Sequence, residues 1–285
     1  MPETTATLLV GGPDRPGLVA RLTAFIDRNG GNILSADHHA EPETGQFFMR
    51  LVWGTSAITR DRDRILGGLK ALADELRLTS ELTFSDVVPR VAILASRTPH
   101  CLYDLLLTRQ LGELGGDVVV VISNHDALRP VAEHFGVRYE VVRVDPADRA
   151  AAEAAQQRLL DEMRVDLVVL ARYMQVLSPD FVERWAGRLI NIHHSFLPSF
   201  VGAQAYRQAR ERGVKMIGAT AHYVTREVDE GPIIEQDVVR VSHRDQVEDY
   251  ARKGRDLERE VLTRAVRWHL ERRVLVSGDR TIVFA

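Results

Sequence analysis

Apolar residues recur along this chain with two different arrangements, and the change from one to the other divides it. Residues 5 to 11 (TATLLVG) read as a strand, and Pro13, Pro16 and Gly17 then mark a turn. Leu18, Val19, Leu22, Phe25 and Ile26 fall at helical spacing, so 17 to 28 is predicted to be an amphipathic helix closed by Asn29, Gly30 and Gly31. Segments 32 to 40 and 46 to 53 read as strands joined by the polar turn EPETG. Ile65, Leu69, Leu72 and Leu76 predict a helix over 61 to 77, and a last strand covers 80 to 88. This βαββαβ order is that of the ferredoxin-like split unit, an α+β module.

Beyond residue 90 the pattern alternates strand and helix. Strands at 90 to 96, 117 to 122, 138 to 144 and 165 to 171 are separated by helices at 100 to 113, 130 to 135 and 147 to 163. These strands are runs of Val, Ile and Leu without polar alternation, which predicts a parallel sheet covered on both faces, a doubly wound α/β domain. Further strands are read at 188 to 193, 214 to 224 and 233 to 241, then a charged helix at 245 to 271 and a strand-like tail, TIVFA. The proline in SDVVPR at 85 to 90 suits a linker, so the expected domains are 1 to 86 and 87 to 285.

Composition narrows the partners. With 285 residues, 45% hydrophobic and 27% charged, the chain can bury two cores without help from metals or disulfides. A net charge of −3 gives no field that would draw it to nucleic acid or to an acidic membrane, which leaves a small molecule as the expected partner. The apolar runs fall short of the ~20 residues that span a bilayer. Cys101 is the single cysteine, and the opening MPETTATLLVGGPDRPG has no basic stretch before a long apolar run, so a reducing cytoplasm is expected. His38 and His39 are neighbours on a strand and point to opposite faces. With no cysteine pairs and no His-Glu-x-x-His spacing, no metal is expected.

Chemistry concentrates at RLINIHHSFLPSFVGA, residues 188 to 203. Strand alternation puts Asn191 and His193 on one side, where an open α/β sheet binds ligands beyond its carboxyl ends. About thirty residues later Asp229 precedes a Glu-Gly-Pro turn, from which a carboxylate could reach the imidazole. A strand histidine taken alone is more often a satisfied structural residue than a catalyst.

The combination carries more than its parts. Asn191-Ile192-His193 followed by Ser195, Leu197 and Pro198, and then Asp229-Glu230-Gly231-Pro232-Ile233-Ile234, resembles the paired motifs of the folate-dependent formyltransferase family over most of residues 90 to 240. The resemblance implies that Asn191 donates a hydrogen bond to a tetrahedral oxyanion, that His193 donates to that oxygen or moves protons, and that Asp229 fixes the imidazole tautomer and holds a water. It also implies folate contacts at Arg172, Tyr173 and Met174 and at Val224, Thr225 and Val228. On this reading Asn191→Ala lowers kcat by roughly two to three orders of magnitude.

Two features resemble the deformylase branch of that family. The turn after the first parallel strand reads Ser96-Arg97-Thr98-Pro99-His100-Cys101-Leu102, with no glycine and with a proline that lacks a donor, so it is a poor phosphate cradle. The segment 12 to 33, with Asp14 and Gly17 before its helix, resembles ACT domains, small modules that pair and often bind amino acids. Gly17 either opens the helix start to a ligand or only permits a tight turn. The implied reaction is hydrolysis of 10-formyltetrahydrofolate to tetrahydrofolate and formate for purine biosynthesis, with folate as substrate and no cofactor. The implied partners are a glycine or methionine effector and further copies of the chain in a homodimer or homotetramer. Formyl transfer to a small amine, or a silent folate or amino-acid sensor, are the alternatives. The sequence departs from the family at Gln204 and Ala205, where lysine and proline are usual, and at Gly12, where cysteine is common.

Overall fold

The computed structural model describes residues 4–55, 61–198 and 205–285, and these fall into two compact units. One comprises the chain up to Val88 with Arg272–Ser277 and Ile282–Ala285; the other comprises Pro89–Glu271 and Gly278–Thr281.

The first unit runs β1 (Thr5–Pro13), α1 (Leu18–Arg28), β2 (Asn32–Glu41), β3 (Gln46–Gly54), α2 (Arg62–Leu76) and β4 (Thr79–Phe84). Its antiparallel sheet has the order β2-β3-β1-β4. Leu8 and Val10 of β1 and Met49 and Leu51 of β3 share a face, and the apolar stripes of the helices, Leu22, Ile26, Leu69 and Leu76, close over it. The alternate residues Leu9 and Phe48 face the other way and pack with Leu275, Ile282 and Phe284. The strand-like tail, grouped by the sequence with residues 87 to 285, therefore contributes its apolar residues to this unit. His38 and His39 are both exposed on β2.

The second unit is built on seven strands: β5 (Arg90–Ala95), β6 (Asp117–Ser123), β7 (Arg138–Val141), β8 (Leu167–Ala171), β9 (Leu189–His193), β10 (Met216–Tyr223) and β11 (Ile233–Arg240). They stand in the order β11-β10-β9-β8-β5-β6-β7. From β9 to β7 neighbours are parallel, and β10 is antiparallel to both β9 and β11. The sheet is thus mostly parallel with an antiparallel edge. Every residue of β8 is buried, which accounts for its unbroken apolar sequence.

Helices α3 (His100–Gln110), α4 (Arg129–His134), α5 (Arg149–Glu162) and α8 (Val247–Leu270) match the predicted helices, and two short ones that were not predicted add to them. In α6 (Pro179–Arg184), Ser178 caps the Phe181 N–H and Pro179 takes the first turn, where its missing donor costs nothing. The second, α7 (Ala205–Glu211), follows residues 202 to 204, so the departure at Gln204 lies outside the described residues. Gln246 and Asp249 cap the start of α8 reciprocally.

Candidate active site

β9 ends by carrying Asn191 and His193 to one wall of a cavity of about 370 Å³. β10 runs antiparallel beside it, with His222 directly opposite Asn191. The segment between β10 and β11 supplies Asp229, in the left-handed region at φ 60°. Gly231 lets this segment fold back: a Cβ there would lie 1.8 Å from the carbonyl oxygen of Tyr223. The Asp-Glu-Gly-Pro turn is therefore what turns the carboxylate toward β9.

His193 Nδ1 lies 3.1 Å from Asp229 Oδ2. Through this contact first and the neighbouring His222 second, the two imidazoles hold the Asp229 carboxyl well below the usual carboxylate range, against the opposing effect of partial burial. The carboxylate can only accept, so Nδ1 carries a hydrogen, and in the neutral ring Nε2 has the lone pair. His193 Nε2 is buried and has no hydrogen-bond partner among the described residues. Asn191 Nδ2 lies 3.3 Å from His222 Nε2, and Asp229 Oδ1 is 3.7 Å from that same nitrogen, beyond hydrogen-bond range. The three residues singled out in the sequence meet at one place.

The six expected folate contacts, Arg172, Tyr173, Met174, Val224, Thr225 and Val228, all line the same cavity. Their polar groups are not all turned to it. The Tyr173 hydroxyl accepts from Gln156 Nε2 at 2.7 Å, the Met174 N–H donates to Ser96 Oγ at 3.0 Å, and the Thr225 hydroxyl donates to the Glu227 carbonyl at 3.1 Å. Met174 and Val228 remain exposed at the rim, where an aromatic ring could lie against them.

Arg172 also serves a second cluster. Its Nε lies 3.5 Å from Oε2 of Glu258, a carboxylate buried to 1% exposure on α8. His100 Nε2 is 2.8 Å from the same oxygen, and the Tyr206 hydroxyl donates to Oε1 at 2.6 Å. Burial pushes the Glu258 pKa up, but His100, Arg172 and Tyr206 together outweigh it and hold the group below its ordinary value. Burial pushes the neighbouring Cys101 thiol well up. Donor atoms of His100, Cys101 and Glu258 come within 4.8 Å of one another. A protonated thiol, an adjacent guanidinium and a carboxylate with both oxygens engaged suit an ion-pair cluster rather than a cation site. His194 bridges the two groups, its ring 5.0 Å from that of His193 and 5.7 Å from that of Tyr206.

His222 and Glu258 were not singled out by the sequence. The His222 signal was present in β10 alternation, but it required the antiparallel register with β9. Asp14 and Gly17 belong to the N-terminal unit. The Asp14 N–H donates to the Gly45 carbonyl at 2.7 Å, and Gly17 has φ 89° with open space where a side chain would stand.

A mostly parallel sheet with an amide, an imidazole and a carboxylate at one end defines a formyltransferase-type catalytic domain. Residues 89–266 match the formyl transferase family and residues 6–67 match the ACT domain. The formyltetrahydrofolate deformylase of Synechocystis is 50% identical over the whole of both chains, and that of Bacillus subtilis is 45% identical over 99% of this chain and 94% of its own. Among solved structures, a formyltetrahydrofolate deformylase from Pseudomonas syringae superposes with a TM-score of 0.97 at 48% identity, covering 100% of this chain and 95% of that one. A glycinamide ribonucleotide transformylase from Symbiobacterium toebii superposes with a TM-score of 0.65 at 37% identity, over 70% of this chain and 95% of its own. The chain belongs to the formyltetrahydrofolate deformylase family.

Proposed function

We propose that this enzyme hydrolyses 10-formyltetrahydrofolate to tetrahydrofolate and formate, with Asn191, His193 and Asp229 as the working groups. The observation that carries the reading is the 3.1 Å contact between His193 Nδ1 and Asp229 Oδ2, on the wall of a cavity that Asn191 shares. Asp229 keeps the imidazole Nε2 available as a base toward the cavity. A water deprotonated there attacks the formyl carbon, and the oxygen that gains charge accepts a hydrogen bond from the Asn191 amide. The C–N bond then breaks, the nitrogen recovers the proton, and formic acid leaves and gives up its own proton to become formate.

The ACT domain supports an amino-acid effector, glycine or methionine, near Asp14 and Gly17, and supports pairing of chains into a homodimer or homotetramer. No helix among the described residues is long and apolar enough to cross a membrane, and a cytoplasmic enzyme feeding formate to purine synthesis fits this reading. Neither a cofactor nor a metal is invoked.

The test is to mix purified protein with 10-formyltetrahydrofolate, with and without primary amines, and to assay formate and formylated amine. Formate released at the same rate in both arms is expected. Product only in the presence of an amine would make the enzyme a transferase, and no product in either arm would make the chain a sensor.

A further inference from the structure

His222 is a buried histidine, 1% exposed, that the proposed chemistry does not use. Its two ring nitrogens have different neighbours. Nδ1 lies 2.8 Å from the backbone carbonyl oxygen of Tyr223, which can only accept, so Nδ1 must carry a hydrogen. A neutral ring then has its lone pair on Nε2. The group facing Nε2 at 3.3 Å is the side-chain amide nitrogen of Asn191, which can only donate. In the neutral ring the two contacts are mutually consistent in one tautomer and one orientation of the carboxamide. With Asn191 turned around, its oxygen would face a lone pair, and the pair would repel.

We propose that His222 is a positioning residue that sets which way the Asn191 carboxamide faces, by accepting one of its two N–H bonds and so aiming the other at the formyl oxygen. An asparagine offers a donor and an acceptor of almost the same shape, and the wrong one presented to a developing oxyanion would repel it. A single anchored hydrogen bond removes that ambiguity. The chain of command runs from the Tyr223 carbonyl, through Nδ1–H and Nε2, to the amide of Asn191. Strand register makes it possible: His222 and Asn191 are direct cross-strand partners on β10 and β9. Asp229 Oδ1 also faces His222 Nε2, at 3.7 Å, but the Asn191 amide nitrogen is the nearer group at 3.3 Å. This inference rests on the role given to Asn191 above.

The test is a double-mutant cycle with a conservative rescue. His222→Leu fills the site with a side chain of similar bulk but offers no acceptor, and kcat is expected to fall about 100-fold with KM changed little, in line with losing an oriented oxyanion donor. His222→Gln restores an acceptor oxygen at about the reach of Nε2, and kcat is expected within about tenfold of wild type. In an Asn191→Ala background, His222→Leu is expected to cost less than about threefold, because the group it orients is already gone. A cost as large there as in the wild-type background would overturn the proposal and make His222 act on substrate directly. The ¹⁵N shifts of the His222 ring in the unmutated protein give a reading independent of variant folding. The Nδ1–H tautomer is expected, and an Nε2–H tautomer would overturn the proposal. Asn191→Ala that retains wild-type turnover would instead sink the assignment of Asn191 itself, so the two failures are distinguishable.

Discussion

The Tyr206 hydroxyl fills the notch that Gly254 leaves in α8: a Cβ on Gly254 would lie 2.0 Å from Tyr206 Oη. One turn further along the helix, Glu258 accepts from that hydroxyl at 2.6 Å. The glycine thus lets the ring lie against the helix at the height where its hydroxyl meets the buried carboxylate. Alanine at a helix interior ordinarily stabilises by about 1 kcal/mol over glycine. Here the collision reverses the sign. Gly254→Ala is expected to lower stability by about 1–3 kcal/mol, the usual cost of overpacking, as a reduced urea midpoint. A raised midpoint would show that Tyr206 can move aside without loss.

Glu258 is the counter-charge to the Arg172 guanidinium and the hydrogen-bond partner of His100 in a buried site, so its removal should cost more than the loss of a surface pair. Glu258→Leu strands a guanidinium beside apolar surface, and a loss on the order of 3–5 kcal/mol is expected from denaturant unfolding. Glu258→Gln keeps hydrogen-bonding atoms and should fall between. Because the folded pKa is lowered, the stability that the carboxylate contributes is fully present above the ordinary glutamate value of ~4.3 and is lost as the pH falls through the folded value. The gap in melting temperature between wild type and Glu258→Gln is therefore expected to hold from neutral pH down to about 4 and to narrow below it. A gap that narrows near pH 6 would mean that burial wins and the group is neutral in the fold.

What could be read from the sequence depended on how local the determining contact was. The strands β5, β6 and β8 declared themselves because burial on both faces makes their centres runs of apolar residues. Asn191, His193 and Asp229 sit in motifs whose neighbours, Gly231 above all, have their own structural reasons to be there. His222 lay in a readable strand, but nothing local gave the antiparallel register that sets it opposite Asn191. Glu258 was read as one charge among many on α8, because only tertiary packing buries it. Helix α6, six residues long, was missed although Ser178-Pro179-Asp180 spelled out its start. Arg172, expected beside the folate, lines the cavity but has its Nε near Glu258, a partner 86 residues away that no local pattern could reveal.

Asp229 pairs with His193 at 3.1 Å, and its substitution tests protonation, stability and turnover separately. The hydrogen bond from His193 keeps its carboxyl well below the ordinary aspartate value of ~3.9, so it is ionised throughout the range in which the enzyme is assayed. Any acid limb of kcat between pH 5 and 8 must then belong to another group. Asp229→Asn keeps the shape but replaces an acceptor-only group with one that can also donate, so the imidazole loses its fixed tautomer; a fall in kcat of about three to four orders of magnitude is expected. The stability the carboxylate contributes is fully present above the unfolded value and is lost as the pH falls toward the folded one. The difference in melting temperature between wild type and Asp229→Asn should therefore be flat from pH 8 to about 5 and shrink below about 4. Melting curves across that range decide it: a difference that vanishes by pH 6 would show that His193 does not hold the carboxylate ionised, and the pairing at the centre of the site would have to be abandoned.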